Sequence, residues 1–146
     1  MTQPISFSEL AIGDEFPSIT VEVTQDVIDV AALAHLDFNP VHTDIDWAER
    51  AQVFGTPKTV AHGMFTMSGM TSLVTRHWRD RGAVVVGIEA KLTRPVPVGS
   101  SVTTTGRIKE LHPRRPGEHI VVVGVEAIDQ DGHTVGLGDV RVRLAG

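Results

Sequence analysis

No cysteine occurs anywhere in the 146 residues of this chain. That excludes disulfide staples and thiolate metal sites, and it fits a reducing, cytoplasmic setting. Excess positive charge is also missing. The net charge of −5 argues against general nucleic-acid binding, which draws on a basic field. No stretch approaches the ~20 apolar residues that a membrane span needs, so no membrane association is expected. Met1 to Glu15 lacks a basic start followed by an apolar run, and no signal peptide is expected. There is no internal repeat, low-complexity tract or linker. What remains is ordinary for a folded chain: 41% hydrophobic and 21% charged residues, at a length that makes one domain, 1–146, with its own core.

Periodicity gives a coarse layout. Phe16 to Val23 reads as a strand, with Ile19, Val21 and Val23 alternating against Ser18, Thr20 and Glu22. Thr24 is placed to cap a helix over Gln25 to Leu36, whose Val27, Ile28, Ala31 and Ala34 share one face. Asn39-Pro40 is expected to stop that helix, because proline pushes the preceding residue out of the α region. Asp46 to Gln52 reads as a short second helix and Val53 to Val60 as loop. Gly63 to Trp78 is a third helix, uncharged until Arg76, and a helix without a charged face is expected to be buried all round. Four strand-like runs follow, Ala83 to Thr93, Ser101 to Leu111, His119 to Asp129 and Thr134 to Leu144, separated by turn signals that favour antiparallel pairing. The expectation is an α+β fold, with an antiparallel sheet wrapped around a long central helix.

The stretch Ala34 to Asp44 carries the chemistry. It places a carboxylate (Asp37), a carboxamide (Asn39), a rigid proline (Pro40) and an imidazole (His42) within six positions, in what reads as a loop after a helix. Ala61-His62-Gly63-Met64 follows about twenty residues on. Adding water across a double bond conjugated to a carbonyl needs a base for the water, an acid for the α-carbon, and a holder for the charge on oxygen. Asp37 and His42 suit the first two tasks. Asn39 has the donor and acceptor atoms to orient the water. Gly63, at the start of the third helix, offers an unpaired backbone N–H and close approach for the oxygen.

Asp37-Phe38-Asn39-Pro40-Val41-His42-Thr43-Asp44 together with Ala61-His62-Gly63-Met64 resembles the signature of MaoC-like, (R)-specific enoyl-CoA hydratases, a branch of the hotdog-fold hydratases and dehydratases. Leu92 to Gly99 is similar to a further segment of that family, and the resemblance extends over residues 10 to 144. It implies a hotdog subunit that forms a homodimer or a dimer of dimers. It implies reversible syn hydration of trans-2-enoyl thioesters to (R)-3-hydroxyacyl thioesters. It gives Asp37 and His42 the acid/base roles, Asn39 the water and Gly63 the thioester oxygen. Thr71 stands near where some members place a serine lining the site. No metal and no separate cofactor are implied, since coenzyme A or an acyl carrier is part of the substrate. Two departures stand out. The family often has Ser-Gly or Ser-Glu before the aspartate, where this chain has His35-Leu36, and Thr71 adds a methyl group to the serine position.

Other readings stay open on sequence. The same residues suit a dehydratase acting on carrier-protein 3-hydroxyacyl chains, and a heteromeric hydratase can include a non-catalytic partner subunit. His62 reads as a cap or buttress of the third helix, His35 as structural, and Asp44 as a cap or a substrate contact. Met64, Phe65, Met67 and Met70 read as core, with Met64 also a candidate for the acyl pocket. Thr66, Ser68, Thr71 and Ser72 suit bonds back to their own helix. Arg94, at a strand end inside the recognised segment, is the candidate for coenzyme A phosphate.

Overall fold

In the computed structural model, which describes residues 2–145, the strand runs pair into one five-stranded antiparallel sheet. The strands are β1 (Glu15–Glu22), β2 (Ala83–Leu92), β3 (Ser101–His112), β4 (His119–Ile128) and β5 (Thr134–Leu144), in the order β1-β3-β4-β5-β2. The sequence boundaries hold to within a residue at each end. Strands β3, β4 and β5 follow one another as a meander. The edge strands β1 and β2 are joined by a long crossover that carries four helices: α1 (Gln25–His35), α2 (Pro40–Thr43), α3 (Ile45–Ala51) and α4 (Gly63–Trp78). The β1–β3 register slips between Phe16 and Ile19, where Pro17 has no N–H to give the ladder.

Helix α4 lies across the sheet and touches all five strands. This is the hotdog arrangement. Met70, Leu73, Val74 and Trp78 pack from α4 onto Ile108, Val121, Val123, Val140 and Val142 of the sheet. Each such side chain contributes about 1.5–3 kcal/mol when taken fully out of water. The approach is close enough to need a glycine: a Cβ on Gly106 of β3 would lie 2.6 Å from Leu73 Cδ2.

Two expectations about the helices are corrected. Helix α4 is not buried all round, because Met64, Ser68, Thr75 and Arg76 form an exposed stripe on its side away from the sheet. An uncharged face marks a surface that avoids charge, which includes one left open for another molecule. The core reading of Met64 falls with it. The second correction concerns Pro40. Helix α1 ends well before it, at His35, because Leu36 turns left-handed (φ 55°) and its N–H reaches back to the Ala32 and Leu33 carbonyls. Pro40 instead opens α2 at the first helical position, where a missing N–H costs nothing. His42 therefore sits on a one-turn helix, not in a loop.

The β4–β5 turn is held by Asp129, whose Oδ1 accepts from the backbone N–H groups of Asp131 and His133, each at 2.9 Å. Burial works to raise its pKa, but these N–H groups and the nearby His133 ring outweigh it and hold the carboxyl below the usual range. No helix among the described residues is long and apolar enough to cross a membrane.

Candidate active site

The αL turn at Leu36 brings the chain out of α1 so that Asp37 stands at the mouth of the crossover. One carboxylate oxygen, Oδ1, accepts from the Asn39 N–H at 3.2 Å and fixes the side chain. The other, Oδ2, faces the His42 ring, with Nε2 at 3.8 Å. Asp37 is 49% exposed and His42 is 13% exposed, so the gap between them opens to solvent. At that separation one oxygen atom can lie within hydrogen-bonding distance of both.

The protonation pattern of His42 follows from its other nitrogen. Nδ1 lies 2.6 Å from the Val60 carbonyl, which can only accept, so Nδ1 carries a hydrogen. In the neutral ring Nε2 is then a bare lone pair aimed at Asp37. Val60 is itself pinned: its N–H donates to the Val41 carbonyl, and the next residue, Ala61, donates to Val96. Gln25, the first residue of α1, braces the same region. Its amide nitrogen donates to the His42 carbonyl at 2.9 Å, and its oxygen accepts from Thr59 at 2.6 Å.

Asn39 has a narrower role than the sequence suggests. Its Oδ1 accepts from the Val41 N–H and caps α2, which leaves only the amide NH₂ to face a ligand. Asp44 caps α3, accepting from Trp47, and this decides between its two readings. Helix α4 has no side-chain cap and no acidic residue in its first turn, so the N–H groups at Gly63 begin unpaired at the positive end of the helix dipole. Gly63 has a second reason to be glycine: a Cβ there would collide with the Leu92 side chain.

His62 does not cap α4. Its Nε2 donates to the Asp37 carbonyl at 2.9 Å, and its ring stacks on that of His42 with centroids 3.8 Å apart. His35 meets the His62 ring edge-on, at 5.6 Å. Sequence reasoning missed the parts played by Gln25, Val60 and His62. Only His62 left a trace, as the neighbour of Gly63.

Asp37, His42 and Gly63 are thus brought together, since His62 binds the Asp37 loop and directly precedes Gly63. Met64 is exposed beside them on α4. Thr71 lies two turns along, half-buried, with its hydroxyl donating to the Ser68 carbonyl at 3.1 Å, and Ser68 likewise donates to Met64. Arg94 is not part of this constellation. It stands exposed in a groove with Lys58, Pro97 and Gln130. The broad hollow on the sheet, lined by residues such as Glu89, Arg107, Lys109 and Glu126, also lacks Asp37 and His42. Size alone does not find the chemistry here.

Asp37, His42 and His62 lie close enough to be weighed as cation ligands. The rings do not suit one. Imidazole lone pairs lie in the ring plane, and two stacked rings tilted by 28° send theirs side by side instead of to one centre. His62 Nε2 is also committed to the Asp37 carbonyl.

Comparison with known proteins gives a consistent picture. The family profile described as MaoC-like domain matches residues 8–131. An (R)-specific enoyl-CoA hydratase from Rhodospirillum rubrum is 29% identical over 98 residues, 67% of this chain and 66% of that protein, so the match spans just under two thirds of the relative. Among solved structures, an unliganded R-hydratase from Pseudomonas aeruginosa superposes with a TM-score of 0.84 at 23% identity, covering 97% of this chain and 86% of that one. A MaoC-like dehydratase from Rhodospirillum rubrum gives 0.79 at 25% identity, covering 94% of both.

Proposed function

Since the chain belongs to the MaoC-like domain family, we propose that it is a hydro-lyase that adds water to trans-2-enoyl thioesters and gives (R)-3-hydroxyacyl thioesters. The observation that carries this reading is the pair Asp37 Oδ2 and His42 Nε2, 3.8 Å apart and open to solvent, beside the uncapped start of α4. The (R) sense rests on the relative's specificity.

The proton inventory is simple. The Val60 carbonyl keeps a hydrogen on Nδ1 whether or not His42 is charged, so the proton that comes and goes is on Nε2. The working pair holds one proton beyond ionised Asp37 and neutral His42. One partner takes a proton from water as its oxygen bonds to C3. The C2=C3 π pair moves towards the thioester oxygen, where the Gly63 N–H meets it. That pair then returns to C2 and collects the proton held by the other partner. The pair ends with as many protons as it began with, and the reverse steps dehydrate. Because acid and base sit side by side, both additions reach one face of the substrate, which is syn. An oxyanion donor of this kind contributes ~3–4 kcal/mol to the barrier reduction. No metal or separate cofactor enters the scheme. We place the working protein in the cytoplasm, as a homodimer or dimer of dimers, on acyl-CoA or acyl-carrier substrates.

The test follows loss of enoyl absorbance with crotonyl-CoA and, in parallel, a crotonyl carrier protein; the faster substrate identifies the carrier. Asp37→Asn and His42→Ala each lower turnover by at least ~10²-fold, the range for losing a general acid or base. Near-normal rates in either variant remove the assignment. A folded chain that turns over neither substrate points instead to a subunit that needs a catalytic partner.

A further inference from the structure

We infer that His62 is a positioning residue for the Asp37–His42 pair, acting through one hydrogen bond and one ring face and exchanging no proton with substrate. The inference rests on the acid/base reading of that pair.

Burial comes first. His62 is 3% exposed, and its Nδ1 has no hydrogen-bond partner among the described residues. Its Nε2 faces the Asp37 carbonyl, which only accepts, so Nε2 carries the hydrogen and Nδ1 of the neutral ring is a bare, buried lone pair. An unpaired buried acceptor lowers stability. An apolar ring would fill the same volume without that loss, so packing alone does not account for a histidine here.

What only the histidine supplies is a donor at one edge together with a flat face. The donor ties the Asp37 backbone to the residue before Gly63. The face lies against the His42 ring at 3.8 Å and 28°, which blocks the rotation that would swing Nε2 away from Asp37. The Val60 carbonyl fixes one edge of His42, and His62 fixes its plane. His35, edge-on at 5.6 Å and itself with an unpaired buried Nδ1, braces the same ring in turn. One side chain thus sets the relative placement of acid, base and oxyanion donor. Misplacing such groups by about 1 Å costs on the order of 10²-fold in rate.

The experiment uses the full chain, crotonyl-CoA as substrate, and 15N NMR of the histidine rings. Wild type shows a bare Nδ1 and protonated Nε2 for His62, and a protonated Nδ1 held in one environment for His42. His62→Ala lowers kcat by roughly 10- to 100-fold with KM within about threefold, and the His42 ring signals average or broaden. His62→Gln keeps an N–H in reach of the Asp37 carbonyl and recovers at least about fivefold of the loss. Where the alanine variant does not fold, His62→Gln is compared with His62→Phe, which keeps the ring and loses the donor; glutamine is then the faster of the two. A folded His62→Ala with kcat within about twofold of wild type, or with unchanged His42 ring signals, overturns the inference. So does a glutamine variant no better than alanine or phenylalanine. A wild-type chain with no turnover strikes at the acid/base reading instead, and the ring signals then decide His62 alone.

Discussion

Leu36 holds a backbone conformation that β-carbons resist. Its φ of 55° ends α1 and delivers Asp37 to the site, yet its side chain is 78% exposed and gains little from packing within this chain. The left-handed region costs an L-residue about 1–2 kcal/mol, while glycine adds about 0.5–1 kcal/mol of unfolded-state entropy. Leu36→Gly therefore raises stability by about 0.5 kcal/mol, roughly 1–2 °C in Tm by thermal denaturation. A lower Tm would mean that Leu36 is covered by something outside the chain. Residues whose partners are near in sequence were legible: Thr24 with Val27, Asp44 with Trp47. Residues whose partners lie far off were not. Gln25 meets Thr59 across 34 positions and His62 meets Asp37 across 25. A one-dimensional pattern carries no trace of such bonds.

Among the elements, α4 was readable to the residue, because glycine opens it and its uncharged run ends beside Trp78. α2 was not, since a single turn has no periodicity and Asn-Pro reads equally as a stop or a start. The start of α4 offers a backbone test of the oxyanion role. His62 already has the extended conformation (φ −62°, ψ 145°) that suits a residue before proline, and the first helical position tolerates proline. Gly63→Pro thus deletes the N–H and keeps the helix. Turnover should fall by about 10²–10³-fold with an unchanged circular dichroism spectrum. Gly63→Ala is the control: it introduces the same push against exposed Leu92 but keeps the N–H. Equal losses in the two variants would assign the effect to Leu92 and sink the oxyanion role.

At the scale of the whole molecule, the site is open where an enclosed one is needed. Exposed apolar side chains stand without cover: Val30 and Leu33 on α1, Phe38 and Met64 beside the pair, Val84 and Val86 near the start of β2. Strand β2 is also a sheet edge, with a free row of backbone groups. Pairing between copies would cover both at once. Light scattering at micromolar concentration should give twice or four times the chain mass, and Val84→Lys with Val86→Lys should shift it towards one. A wild-type monomer under those conditions contradicts the dimer.

The order β1-β3-β4-β5-β2 also has a bearing on biosynthesis. Among the described residues β2 pairs only with β5, so the strand after α4 waits for Thr134–Leu144 before it can join the sheet. Such long-range pairings form slowly and leave apolar surface uncovered meanwhile. A nascent chain that has not reached β5 would hold Asp37, His42 and Gly63 and still lack the strand that ties β2 to the sheet. Leu92, which ends β2 and crowds Gly63, has no sheet to fix it until then, so the mouth of α4 takes its final shape after β5 is made.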